Sequence, residues 1–61
     1  MWQVSHYYDG RVLVEADYEI LTVDEAHALA AALRDVAEGR AHLIAEGGTR
    51  YATKAEYDAE D

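Results

Sequence analysis

Residues 5–11, Ser-His-Tyr-Tyr-Asp-Gly-Arg, hold the densest group of side chains in this chain that could do chemistry. Serine, histidine and aspartate are the types that assemble an activated nucleophile, as hydroxyl, base and orienting carboxylate. Tyrosine and arginine are the types that anchor protein interfaces. His6, His27 and His42 raise the question of a metal, with Asp24 three residues before His27. A further group, Glu15, Asp17 and Glu19, recurs at every second position and would align carboxylates along one side of a strand.

Whether any of these groups converge depends on the elements that carry them. Trp2, Val4 and His6 alternate with Gln3, Ser5 and Tyr7, the period-two pattern of a strand. After Asp9-Gly10 the alternation resumes as Val12, Val14, Ala16, Tyr18 and Ile20, which predicts a second strand with Glu15, Asp17 and Glu19 on its other side. Asp-Gly between two such runs signals a hairpin. A two-residue loop would pair Tyr8 with Arg11 and set Val4 opposite Glu15. A three-residue loop, Tyr8-Asp9-Gly10, pairs Tyr7 with Arg11, Val4 with Val14 and Trp2 with Ala16. Since a one-residue slip turns every side chain over, only the second register gathers the apolar residues on one face. It requires a left-handed Gly10, as in a bulged turn.

Thr22 and Glu25 form a capping box, and Asp24 and Glu25 suit the positive end of a helix dipole. Leu21 can pack on Ala26 as a staple. Ala26, Leu29, Ala30, Leu33, Val36 and Ala37 share one face at helical spacing, and Gly39 stands where a left-handed residue closes the helix. Residues 41–46 read as a third strand, placed beside the first. Gly47-Gly48 would turn it into Arg50-Tyr51-Ala52, and Thr53 with Glu56 would start a short helix that frays into the acidic end. The expected fold class is α+β: a small antiparallel sheet, ββαβ with room for a fourth strand, and one helix packed on one face. Residues 1–54 form the expected single domain and 55–61 an acidic tail.

At 61 residues such a domain buries only about 60% of the surface its unfolded chain exposes. It has no cysteine, so disulfides and thiolate zinc sites are excluded, and the remaining reinforcements are a well-patterned core or a second copy. The opening Met1-Trp2-Gln3 leads straight into alternating sequence without a signal peptide, and no apolar run approaches the ~20 residues that cross a membrane. A cytoplasmic location is expected. The net charge of −8 disfavours direct binding to nucleic acid or anionic lipid and favours a basic partner.

On this frame the pleat disperses the Ser-His-Asp group. His6 points to the helix side, Tyr7 points away from it, and Tyr8, Asp9 and Gly10 make the loop, so the stretch reads as a hairpin tip and no catalytic residue is expected. The histidines are badly spaced for a structural zinc site, which needs four ligands, so no metal and no cofactor is expected. The carboxylates of Glu15, Asp17 and Glu19 would stand ~6.7 Å apart along a strand. Duplex DNA carries one charge per ~1.7 Å, about four times that density, which argues against mimicry of nucleic acid. A solvated edge and a docking face for a basic protein surface both fit. The docking reading assigns Tyr7, Tyr8, Arg11, Leu13, Glu15, Asp17 and Glu19 to the partner contact.

The stretch Thr22-Val23-Asp24-Glu25-Ala26-His27-Ala28-Leu29-Ala30 resembles the corresponding part of the short phage inhibitors of bacterial RNA polymerase. The layout of hairpin, Thr-capped helix and strand over residues 2–46 is similar too. That resemblance implies action without catalysis, by docking charged strand and loop residues on a larger enzyme. The expected function is therefore a small acidic binding protein, an inhibitor or adaptor of bacterial or phage origin. The alternative is a homo-oligomerising module, a two-fold dimer, that buries the outward sheet face.

Overall fold

The computed structural model describes residues 1–46 and 50–59, and the expected turn at Gly47-Gly48 lies outside them. The chain runs β1 (Trp2–His6), β2 (Val12–Ala16), α1 (Val23–Ala37), β3 (Leu43–Ala45), β4 (Arg50–Tyr51) and α2 (Lys54–Ala59). The strands form one antiparallel sheet in the order β2-β1-β3-β4, with α1 packed on one side, mostly over β1. The fold is α+β, and the third strand lies beside the first as its sequence predicts.

The hairpin adopts the register that unifies the apolar face: Val4 pairs with Val14, Trp2 with Ala16 and His6 with Val12. The Tyr7 amide donates to the Arg11 carbonyl at 2.7 Å, and Gly10 has φ +91°. A Cβ on Gly10 would meet nothing within 4 Å, so any cost of adding one is conformational. Gly10→Ala should lower stability by roughly 1 kcal/mol in chemical denaturation, because alanine resists positive φ. An unchanged midpoint would show that the turn tolerates another conformation.

Helix α1 begins with the complete capping box. Thr22 Oγ1 accepts from the Glu25 amide at 3.1 Å, and Glu25 Oε1 accepts from the Thr22 amide at 3.0 Å. It ends in a Schellman motif around Gly39 (φ +78°): the Arg40 amide donates to the Asp35 carbonyl and the Gly39 amide to that of Val36. The core is Trp2, Val4, Ala32, Val36, Ala41 and Ile44, flanked by Val12, Leu21 and Leu29.

Two expectations are corrected here. The buried stripe of α1 is Leu29, Ala32 and Val36, whereas Ala26, Ala30 and Ala37 are exposed and Leu33 is 36% exposed. Alanines add little to a hydrophobic face. The side that meets the sheet runs instead through the partly buried Glu25, which closes the cap, and Asp35, which binds Arg40 and Arg50 of β4. The second strand, expected through Ile20, stops at Ala16. With Trp2 opposite Ala16, only Met1 remains for Asp17, and Tyr18 onward has no partner on β1. Tyr18 and Ile20, expected to face inward, are 97% and 90% exposed.

At the far side, α2 packs against β4, with Tyr57 edge-on to Tyr51 at 5.5 Å. Thr53 Oγ1 accepts from the Glu56 amide at 3.0 Å, as its spacing suggests. Residues 55–59 of the expected tail thus belong to a short helix, while 60–61 lie outside the described residues.

Candidate protein-binding face

Strand alternation puts Gln3, Ser5, Leu13, Glu15, Leu43 and Tyr51 on the side of the sheet away from α1. Tyr7, one step beyond β1, continues that side and pairs with Arg11 across the hairpin. Leu43 is only 5% exposed although it faces away from α1, with Ser5 and Tyr51 beside it in the ladder. The open part of this side is therefore its hairpin half, from Tyr7 to Glu15.

The hairpin tip is organised by contacts of its own. The rings of Tyr7 and Tyr8 lie 4.6 Å apart, and the Arg11 guanidinium stands 5.6 Å from the Tyr7 ring centroid, within cation–π range. Asp9 holds Arg11 from the other side, accepting from Nε at 2.7 Å and from Nη2 at 2.6 Å. Its second oxygen accepts from the Arg11 amide at 3.1 Å, an Asx-type turn. Tyr8 is 89% exposed, and Tyr7, Arg11, Val12 and Leu13 line a shallow cleft of about 270 Å³. Two tyrosines and an arginine thus stand pre-ordered at a surface without being buried.

The carboxylates divide. Glu15 is exposed on the side away from α1, and Asp17 is exposed just past the strand end. Glu19 is not in their row: its side chain turns inward and pairs with the amino group of Met1. The expected row of three is a row of two, because β2 ends at Ala16. Both remaining acids border a larger open cleft of about 530 Å³, which Met1, Trp2 and Val14 also line. Tyr18 and Ile20 add exposed apolar surface in the connection to α1 that the strand reading had placed in the core, and Val23 at the start of α1 extends it. The pairing arithmetic of the hairpin could have found them.

The histidines are closer than their spacing suggests. His6 and His42 stand 6.1 Å apart between ring centroids, since the β1–β3 register sets them across from each other, and His42 lies 5.8 Å from Tyr57. Among the described residues, no group of three or more His, Asp or Glu side chains gathers as metal ligands would.

Three carboxyls are held below the ordinary carboxylate range: Asp9 by the Arg11 guanidinium, Glu25 by the Thr22 amide, and Asp35 by Arg40 and then Arg50. A lowered folded-state pKa means that the folded state binds the proton more weakly. Their stabilisation is complete above the ordinary carboxylate pKa and is lost as pH falls through the lowered folded values. The melting temperature should fall on acidification through that range. Asp35→Asn should flatten the profile, and an equally steep one would remove Asp35 from the account.

The fold and this face define a small acidic α+β protein with a pre-ordered aromatic and arginine tip. Compared with protein-family models, curated proteins and solved structures, the chain finds no match in any of the three. Among the described residues, no helix is long and apolar enough to cross a membrane.

Proposed function

We propose that this protein acts without catalysis, by binding another protein through the hairpin half of the sheet side that faces away from α1. The observation that carries this reading is the tip, where Tyr7 contacts both Tyr8 and Arg11 at the surface beside Leu13. Tyrosine and arginine are the residues on which interface energy concentrates, and groups ordered before binding lose less entropy on association. Glu15 and Asp17 continue the same side beyond Leu13, bordering the neighbouring cleft, and the chain carries −8 overall, so the fitting partner presents a basic surface.

Basic surfaces of that kind line the clefts of proteins that handle nucleic acid. An inhibitor or adaptor acting in the cytoplasm on such an enzyme, a bacterial RNA polymerase among them, fits the size and charge of the chain. The acidic row is too short to stand in for a nucleic-acid backbone, so the acids orient and the tip binds.

The test compares proteins retained from a bacterial lysate by the wild-type chain, by Tyr7→Ala with Leu13→Ser, and by His27→Ala on the exposed side of α1. A protein held by the wild type and the helix variant but lost by the hairpin variant supports the proposal. Retention that follows the helix variant instead contradicts it.

A further inference from the structure

The β2 strand is an edge of the sheet, and no described residue pairs with its outer side. The direction of its free backbone groups follows from the hydrogen bonds on its inner side. Tyr7 bonds Arg11 across the hairpin, whereas His6 and Trp2 direct their backbone groups to the other neighbour, as the bonds His6 N–H to His42 O and Glu46 N–H to Trp2 O show. Antiparallel ladders alternate, so the residues opposite His6, Val4 and Trp2, namely Val12, Val14 and Ala16, point their N–H and C=O groups outward. Val14, at the middle of that row, is 47% exposed although it lies on the core side of the sheet.

We propose that β2 pairs with β2 of a second copy, two-fold and antiparallel about Val14, joining two four-stranded sheets into one of eight strands. In this register Val14 meets Val14 of the other copy, and Val12 meets Ala16. Each copy supplies three outward N–H groups, so all three face a C=O across the axis. The same register sets Arg11 opposite Asp17 at both ends. Arg11 Nε and Nη2 are held by Asp9, which leaves Nη1 to donate to Asp17 of the other copy.

The neighbouring registers are worse. Pairing about Glu15 would oppose two carboxylates on the axis. Pairing about Leu13 would use only Val12 and Val14 and leave the groups of Ala16 against the turn at Gly10. Space permits the chosen register. Helix α1 lies mostly over β1, so the two helices would stand three strand spacings apart, roughly 14 Å. That exceeds the 8–10 Å of directly packed helices and leaves room for the two Val14 side chains. A strand edge without proline or an inward charge is the kind that recruits another strand.

This pairing goes beyond the partner-binding reading: it is carried by the backbone edge of the sheet and not by its open side, with only Arg11 and Asp17 common to both. Sedimentation equilibrium at millimolar protein and physiological salt, where the repulsion between the two −8 charges is screened beyond ~8 Å, provides the test. The expected species has twice the 6.8 kDa mass of the chain. Val14→Pro removes an outward N–H without touching the bonds to β1 and should give a folded monomer. Val14→Lys, which leaves the backbone intact, should do the same. Asp17→Arg should weaken the dimer roughly tenfold, and adding Arg11→Asp to it should restore the pairing with the charges exchanged. A wild-type chain that remains at 6.8 kDa, or a dimer that survives both Val14 variants, overturns the proposal.

Discussion

Trp2→Ala should unfold this domain. Trp2 is the largest side chain of the core and is only 4% exposed, with Val4, Ala32, Val36, Ala41 and Ile44 as its neighbours in the cluster. Truncating a buried tryptophan costs about 3–5 kcal/mol. A core in a domain this small rarely supplies more than that in total, so the folded population should collapse. Far-UV circular dichroism and amide chemical-shift dispersion would show it directly. Trp2→Phe should be much milder, because the indole N–H finds no acceptor among the described residues and its removal leaves none of them unpaired. Leu33→Ala should also be mild, since Leu33 lies at the margin of the buried stripe, while Leu29→Ala should cost more. A cooperative melt for Trp2→Ala close to that of the wild type would move the core elsewhere.

The second large effect concerns binding. Reversing Glu15 and Asp17 to lysine should weaken association with the captured partner by an order of magnitude or more at low salt. Both side chains are exposed and make no hydrogen bond or ion pair with another described residue, so the melting temperature should hold. The loss should appear in the association rate and shrink as salt is added, because long-range charge mainly steers encounter. Tyr7→Ala should behave differently, leaving association nearly unchanged and shortening the lifetime of the complex, as the loss of a packed anchor does. The two kinetic signatures separate steering from anchoring on one surface. Equal losses in both rates for both variants would contradict that division.

The parts of the fold that were legible in the sequence are those governed by local rules that agree with one another. Alternation and a glycine needing positive φ fixed the hairpin, and Thr22, Glu25 and Gly39 marked both ends of α1. Tyr7, Tyr8, Arg11 and Leu13 were placed correctly for the same reason: pleat parity follows once the register is known. The rotation of α1 was not legible, because three of its six apolar positions are alanines, whose weak preference leaves the facing stripe poorly specified; the observed stripe brings Asp35 to Arg50 of β4. Nor was the inward turn of Glu19, whose partner is the chain's own amino group and not a side chain. The end of β2 is a different case. Its alternation continues in sequence through Ile20, but a strand needs a partner, and the hairpin register exhausts β1 at Trp2. The proximity of His6 and His42 likewise depends on a pairing between strands distant in sequence.

On the proposed function, this protein meets its partner through the hairpin half of the sheet side away from α1. Methyl and amide chemical-shift mapping of the labelled chain during titration with the captured partner tests it most directly. The largest changes should fall on Tyr7, Tyr8, Arg11, Leu13 and Glu15, with Ala26, His27 and Ala30 on the exposed side of α1 unmoved. Changes concentrated on that helix, with Leu13 and Tyr7 unaffected, would contradict it.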